Sequence, residues 1–142
     1  MIVSVLLTFA LFLVVASFHL ILADKCYRRC VHLEARPPIV MLQLLTGLFL
    51  LHLCAAAIFA VGFAIGEAAG IGGFSKEPTI SGMDLFYFSL INITTLGLGD
   101  IYPTGHLRFM AGIESLTGFL LISISASFAF KLVVRNQRGN AI

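Results

Sequence analysis

Residues 94–103, with the sequence TTLGLGDIYP, combine residue types that could bind a metal cation through the backbone. Two glycines alternate with two leucines in this segment, between a pair of threonines and an aspartate. Because glycine adopts φ angles closed to other residues, alternating glycines let successive carbonyl groups turn the same way. A row of such carbonyl oxygens is a ligand set for a dehydrated cation. The candidate ion-binding residues are therefore Thr95, Leu96, Gly97, Leu98 and Gly99.

The same glycine spacing also occurs in surface turns and in phosphate-binding loops. The context excludes both, because no lysine follows as a phosphate loop would need and hydrophobic segments flank both sides. The segment resembles the potassium channel signature Thr-Val-Gly-Tyr-Gly-Asp, and above all the Thr-Ile-Gly-Leu-Gly-Asp version in the second pore of two-pore-domain channels. The resemblance extends from Ser81 to Lys131 and implies a potassium channel pore domain with a pore helix, a selectivity filter and an inner helix.

The resemblance also implies roles for the filter residues. The carbonyls of residues 95–98 would bind K+ as the permeant ion, with no other cofactor, and the Thr95 hydroxyl would join them at the inner end. The side chains of Leu96 and Leu98 would point away from the ion and pack against the pore helix. The chain departs from the pattern at Leu98, where a tyrosine is commonest, and at Ile91, where many relatives have a glutamate.

Three residues are candidates for supporting the filter. Asp100 resembles the family's aspartate that bonds an aromatic residue of the pore helix, and Tyr87 occupies the matching position. Glu114 is the acidic residue well inside an apolar span, where a charge costs several kcal/mol and usually marks function. We expect Glu114 to reach Asn92 or Ser89 behind the filter. The alternative is a protonated carboxyl with a purely structural role.

The apolar segment that follows contains the candidate gate. Gly118 falls where the family has a hinge glycine on its inner helix. Helical spacing predicts that Phe119, Ile122, Ala126 and Phe130 share its face and line the cavity and inner mouth. Phe130 is our candidate for closing the pore by dewetting. Ordinary helix packing is the alternative for this aromatic residue.

The elements that must position these residues are apolar helices. The chain has 142 residues, of which 59% are hydrophobic and 11% charged, and its mean hydropathy is +1.03, a membrane composition. Residues 2–23, 39–65 and 107–134 reach the roughly 20 residues needed to cross a bilayer. Residues 83–94 are too short to cross and fit a re-entrant helix, whose start a capping box of Ser81 and Asp84 predicts. The predicted fold is thus an all-α membrane protein with three transmembrane helices, a re-entrant pore helix and a selectivity filter.

These segments divide the chain into three parts. Residues 1–38 hold an extra N-terminal helix, expected at the lipid-facing periphery, and a basic loop over residues 24–38. Residues 39–134 form the pore domain, with an outer helix (39–66), pore helix (82–94), filter (95–99) and inner helix (107–134). Residues 135–142 are a short tail. Lysine and arginine concentrate in the loop and the tail, so the positive-inside rule predicts a multi-pass cell-membrane protein with the N-terminus outside and the C-terminus cytoplasmic.

Cysteine and histidine residues outside the filter leave two alternatives open. Cys26 and Cys30 could share a helix face and hold a metal with His32, although free thiols are favoured. His19, expected near the cytoplasmic end of the first helix, is either a pH sensor or a histidine satisfied at the interface. His52 is expected to hydrogen-bond a neighbouring helix.

One chain supplies one pore segment, whereas a complete filter needs four, so we expect a homotetramer surrounded by membrane lipids, with no nucleic-acid partner. The sequence predicts passive, potassium-selective conduction. It does not predict an enzyme, since no nucleophile, base and orienting group occur together. The alternatives are a weakly selective monovalent cation channel and a non-conducting regulatory membrane subunit.

Overall fold

A computed structural model describes residues 1–33, 36–75 and 80–139 of the chain. Within these ranges the chain forms four α-helices and two short β-strands. In chain order they are α1 (Ile2–Val31), α2 (Pro37–Ala68), β1 (Phe74–Ser75), α3 (Gly82–Ile93), β2 (Tyr102–Pro103) and α4 (Leu107–Gly139). Three of the described helices, α1, α2 and α4, are long and apolar enough to cross a membrane. Helix α3 has 12 residues and is too short to do so, which confirms the predicted fold class.

The end of α1 differs from the prediction. Lys25, Arg28 and Arg29 were expected in a loop, but the helix continues through them to Val31. Two local interactions favour the extension. Arg28 Nε donates to Asp24 Oδ2 at 2.7 Å, one turn earlier, and positive side chains in the last turn interact favourably with the helix dipole. The connection to α2 is therefore short, and Pro37 begins α2 at the position where proline is best tolerated.

The N-terminal helix α1 is exposed on one side only, since its other side packs along both α2 and α4. The prediction treated α1 as apolar all round and missed that its few polar residues recur on one face. Ser4, Thr8 and His19 are buried on this face, and at helical spacing such positions lie above one another. His19 lies near the middle of α1 rather than near its end, because the helix extends further than expected. The outward face, with Leu6 66% exposed, suits lipid contact.

Two contacts fix the direction of α1 relative to the rest of the chain. Ser4 Oγ donates to the carbonyl oxygen of His106 at 3.1 Å, just before α4 begins. At the other end, Arg135 Nη2 donates to the carbonyl oxygen of Val31 at 3.4 Å. The N-terminus therefore lies at the end of the bundle where α4 starts, and the last turns of α4 lie at the opposite end.

A two-stranded strap, formed by β1 and β2, ties the segment after residue 99 to the loop between α2 and α3. The strands are antiparallel, and Phe74 pairs with Pro103. Phe74 also packs edge-to-face against Phe63 of α2 and Phe88 of α3, with ring centroids 5.6 and 5.2 Å away. Such aromatic pairs contribute about 0.5–1.5 kcal/mol each beyond their buried area. The strap thus holds the outer end of the filter segment against two helices.

Candidate ion-binding site and its supports

Helix α3 positions the filter segment, and both of its ends are defined by hydrogen bonds. At its start, Ser81 Oγ accepts from the Asp84 amide at 3.2 Å, and Asp84 Oδ2 accepts from the Ser81 amide at 2.9 Å. This is the predicted capping box. At its end, the Ile91 carbonyl oxygen accepts from the amides of Leu96 (3.0 Å) and Gly97 (3.3 Å). The filter segment therefore begins by folding back over the C-terminal end of α3.

The backbone of the filter segment alternates in conformation. Thr95, Gly97 and Gly99 have positive φ angles of 61°, 54° and 78°, while Leu96 and Leu98 between them do not. Such alternation turns successive carbonyl groups toward one side, the property needed to line a row of cation sites. Thr95 was not expected to adopt this conformation, which costs a non-glycine residue about 1–2 kcal/mol. Its amide donates to the Asn92 carbonyl oxygen at 2.9 Å, which helps to hold it there.

The side chains of Leu96 and Leu98, which we expect to pack against a pore helix, are mostly uncovered in the single chain. They are 64% and 58% exposed. A cavity of about 240 Å³ instead lies behind the filter segment, between α3 and α4, and its walls include Phe88, Asn92 and Ser115. The filter segment of one chain leaves this space unfilled.

Glu114 lies where a support for the filter was predicted. Its side chain is fully buried and contacts both predicted partners on α3. Asn92 Nδ2 donates to Glu114 Oε2 at 2.6 Å, and Ser89 Oγ and Glu114 Oε1 are joined by a short hydrogen bond. Ser89 Oγ is also 2.7 Å from the Ala56 carbonyl oxygen of α2. This network joins three helices directly behind the filter.

The hydrogens available to this network indicate how it is built. A serine hydroxyl carries one hydrogen, and the Ala56 carbonyl oxygen can only accept. When Ser89 donates to Ala56, its bond to Glu114 is completed by a carboxyl that carries a proton on Oε1. The arrangement therefore accommodates a neutral Glu114, so that the predicted contact and its structural alternative are compatible.

A second part of the network was not predicted. Ser115 Oγ lies 3.0 Å from the carbonyl oxygen and 2.9 Å from the side-chain Oδ1 of Asn92. Asn92 Nδ2 also donates to the Ala111 carbonyl oxygen at 2.8 Å. Asn92 is thus held on both sides by α4, only a few residues before the filter. The position of Ser115 beside Glu114 in an apolar helix was the signal that could have identified it.

Tyr87 and Asp100 are also brought together as expected. The hydrogen bond that the Tyr87 hydroxyl donates to Asp100 raises the pKa of Tyr87. The sequence interpretation missed Tyr102, whose hydroxyl oxygen lies 2.9 Å from the place where a Cβ on Gly99 would stand. Gly99 therefore needs its positive φ, and a Cβ there would push the end of the Tyr102 side chain aside.

The predicted gate residues fall on two faces of α4 rather than one. Phe119, Ile122, Ala126 and Phe130 are exposed in the single chain and do share a face. Gly118 is buried instead, and a Cβ there would overlap the carbonyl oxygen of Ile93 at the end of α3. The prediction included Gly118 because it lies at the edge of the same helical arc, but its own chain covers it. Gly118 is a close-packing position between α4 and α3.

For Cys26 and Cys30 the sequence favoured free thiols over a metal site shared with His32. Cys26, Cys30 and Cys54 are free thiols. Within residues 1–33, 36–75 and 80–139, no group of three or more His, Cys, Asp and Glu side chains could hold a metal ion.

Comparisons with known proteins place these observations in context. The chain matches a family described as ion channel over residues 46–135, which include α3, the filter segment and most of α4. It is also similar to the inward rectifier potassium channel Kirbac3.1 of Paramagnetospirillum magnetotacticum, with 33% identity over 103 residues. That alignment covers 70% of this chain and 32% of the relative, so the chain spans about a third of the relative's length. Comparison with solved structures gave no match.

Proposed function

This chain belongs to the ion channel family, and from that premise we propose that it forms a potassium-selective channel in which four copies arrange residues 95–99 around one axis. The resemblance to potassium channel pore domains is confirmed by the family match and by the similarity to a potassium channel. The observation that carries the proposal is the alternation of positive φ at Thr95, Gly97 and Gly99. It supports a row of carbonyl oxygens on one side of the segment.

In this proposal, conduction requires that the oxygen ligands of the ion are correctly positioned, and no covalent bond is made or broken. The carbonyl oxygens of Thr95, Leu96, Gly97 and Leu98 from four chains replace the hydration shell of K+, and the Thr95 hydroxyl adds a ligand at the inner end. Helix α3 directs its partly negative C-terminal end toward the same region, which favours a cation there. Several adjacent sites let an arriving ion displace the one ahead of it. K+ then moves passively down its gradient.

Assembly as a homotetramer is supported by what a single chain leaves uncovered. Leu96 and Leu98 are mostly exposed, and the cavity of about 240 Å³ behind the filter remains open in one chain. On α4, Phe119 and Phe130 are 60% and 69% exposed. Four chains around one axis would cover the filter side chains and direct this face of α4 toward a central cavity, with Phe130 as its gate.

The proposal assigns the remaining parts of the chain by position. Residues 39–134 are the pore domain, with the Glu114 network and the Tyr87–Asp100 pair as supports of the filter. Two basic residues of α1, Arg28 and Arg29, lie in its last turn, and the N-terminus lies at the end where α4 begins. Together with the positive-inside rule, this arrangement supports a topology with the N-terminus and outer mouth outside the cell and the C-terminus in the cytoplasm.

Reconstitution of the purified chain alone into liposomes tests the proposal. K+ flux without Na+ flux supports it. Comparable K+ and Na+ fluxes would instead identify a weakly selective cation channel, which Leu98 favours because it lacks the hydroxyl of the common tyrosine. Neither flux would identify a non-conducting subunit of another channel.

A matched pair of glycine variants links the flux to the filter. Gly97 and Gly70 both have positive φ, 54° and 67°, and a Cβ on either would meet no atom within 4 Å. Gly97→Ala and Gly70→Ala therefore impose a similar backbone cost of about 1–2 kcal/mol. We expect Gly97→Ala to abolish K+-selective flux and Gly70→Ala to retain it. Equal flux from both variants would exclude residues 95–99 as the ion path.

A further inference from the structure

A cluster of three polar side chains lies in the middle of the bundle, far from the filter network. His19 of α1 and Ser125 of α4 are 0% and 7% exposed, and His19 Nε2 lies 3.0 Å from Ser125 Oγ. The ring of His52, from α2, meets the His19 ring edge-to-face with centroids 4.9 Å apart. Each of the three residues lies near the midpoint of its helix. The cluster therefore joins α1, α2 and α4 at the depth of the bilayer centre.

The hydrogen bonds of the two histidines leave ring nitrogens without partners. His52 Nδ1 is 2.8 Å from the carbonyl oxygen of Leu48, in its own helix rather than in a neighbouring helix as expected. A carbonyl oxygen only accepts, so Nδ1 carries the hydrogen, and in a neutral ring Nε2 is then a bare lone pair. His52 Nε2 and His19 Nδ1 are both buried and have no hydrogen-bond partner. Unsatisfied buried polar atoms of this kind are uncommon in folded proteins and call for an explanation.

We propose that His19 and His52 form a proton-binding site inside the membrane, and that proton uptake there is coupled to the inner helix α4 through Ser125. The bare Nε2 of His52 is one site for the proton. When His19 Nε2 donates to Ser125 Oγ, His19 Nδ1 has a free lone pair and is the second site. The two rings are adjacent, so the charge from one proton opposes the uptake of another. The pair therefore takes up one proton before the second.

Among the described residues, the polar contacts of the pair are with Ser125 and the Leu48 carbonyl oxygen, and neither is a carboxylate that could stabilise a positive charge. From α2, the titratable group that faces His19 is His52, and from α4 the group that meets it is Ser125. On α4, Glu114 precedes Ser125 by 11 residues and Lys131 follows it by 6, which corresponds to about 16 and 9 Å along the helix. On α1, the next charged residue is Asp24, and it is paired with Arg28.

A proton on this pair therefore shifts the equilibrium between two arrangements of the helices, one with α1 packed against α4 as described and one with α1 displaced. With α1 packed as described, the unpartnered ring nitrogens of the pair are buried, and a charge on them is costly because it is shielded from solvent and has no paired counter-ion. An arrangement in which α1 shifts and admits water accommodates the charge better. His19 holds α1 to α4 through Ser125, so acidification alters the support that α1 gives to α4. Histidine suits this role because the pKa of the unperturbed side chain lies close to physiological pH.

The proton site is tested without reference to conduction by nuclear magnetic resonance of the full chain, labelled with ¹⁵N in histidine and reconstituted into liposomes. At pH 7.5 we expect the His52 spectrum to show hydrogen on Nδ1 and none on Nε2. Between pH 7.5 and 4.5 we expect one proton to be taken up by the pair, with signals assigned by comparison with His19→Gln and His52→Gln. If both rings of the wild-type protein stay neutral down to pH 4.5, the proposed site does not exist.

The coupling to α4 rests on the proposed channel function and is tested by K+ flux. We expect wild-type flux to differ about fivefold or more between pH 7.5 and 4.5, the usual lower range of an allosteric coupling. This ratio should approach one in His19→Gln and His52→Gln, and should remain at its wild-type value in His32→Gln, which alters an exposed histidine outside the cluster. Ser125→Ala keeps both histidines, so proton uptake should persist while the flux ratio falls.

The outcomes separate this proposal from the proposed function. Proton uptake with a flux ratio that none of the three cluster variants changes would overturn the coupling. A chain that conducts at no pH would contradict the proposed function, and the spectra of the histidine pair would still decide whether the proton site exists.

Discussion

Replacement of Gly118 by alanine should destabilise the protein, because α4 and the end of α3 touch at this glycine. A Cβ at Gly118 would overlap the Ile93 carbonyl oxygen and stand 2.6 Å from its carbonyl carbon and 2.8 Å from Cγ1. Two of these three atoms belong to the backbone, so a side-chain rotation cannot relieve the overlap. Overpacking of this kind costs about 1–3 kcal/mol. Alanine also gains about 1 kcal/mol of helix propensity over glycine.

Gly112→Ala is the matched control, since Gly112 lies in the same helix and a Cβ there would meet nothing within 4 Å. The propensity gain is shared by both variants, so the difference between them isolates the overlap, about 1–3 kcal/mol per chain. We would measure thermal unfolding of each purified variant in detergent, and the ratio of K+ to Na+ flux in liposomes. Gly118→Ala should unfold at the lower temperature and lose selectivity, because the displaced Ile93 lies two residues before the filter.

A Gly118→Ala variant that is as stable as Gly112→Ala would refute this reasoning. A hinge role for Gly118, as the family resemblance implies, makes a different prediction. Alanine would then stiffen the helix and change channel opening, with no loss of stability. The two interpretations are thus separated by the sign of the stability change.

Four further variants test the supports of the filter and the gate. Glu114→Gln should lower the free energy of unfolding by less than about 1 kcal/mol, because the amide can replace a neutral carboxyl. Glu114→Ala should lower it by about 1–3 kcal/mol for each partner left unsatisfied. Equal losses for the two variants in denaturant unfolding would show that the charge of Glu114 is needed. Tyr87→Phe removes the donor to Asp100. It should lower the conductance, and it should reduce the stability of the filter by about 0.5–1.5 kcal/mol. An unchanged single-channel record would show that the Tyr87–Asp100 pair does not support the filter. Phe130→Ala should leave stability within about 0.5 kcal/mol, since the ring is exposed, yet raise the open probability; an unaltered open probability would remove Phe130 as the gate.

The sequence was sufficient for features that depend on local pattern. The capping box at Ser81 and Asp84 predicted the start of α3, and the length and composition of the apolar stretches predicted three spanning helices. The reach of Glu114 to Ser89 and Asn92 followed from the rarity of a carboxyl in an apolar span. Each of these inferences needs only neighbours in the chain or the energetic cost of an unpartnered polar group.

The features that were missed depend on which surfaces meet. Helix α1 looked uniformly apolar because its polar residues are few, although Ser4, Thr8 and His19 all face inward. The direction of Leu96 and the burial of Gly118 likewise depend on the chain that covers them. Helical spacing predicts that residues share a face, but it does not say whether that face meets the same chain, another chain or lipid.

The strap of β1 and β2 has a consequence for how the outer mouth responds to mechanical load. Pro103 is paired with Phe74, and the Phe74 ring is wedged between Phe63 of α2 and Phe88 of α3. A tilt of α2 should therefore displace Pro103, and with it the end of the filter segment, through the contacts of Phe74. The strap and α2 should then move together as one rigid unit. In the proposed channel, bending of the ion path would be confined to its inner half.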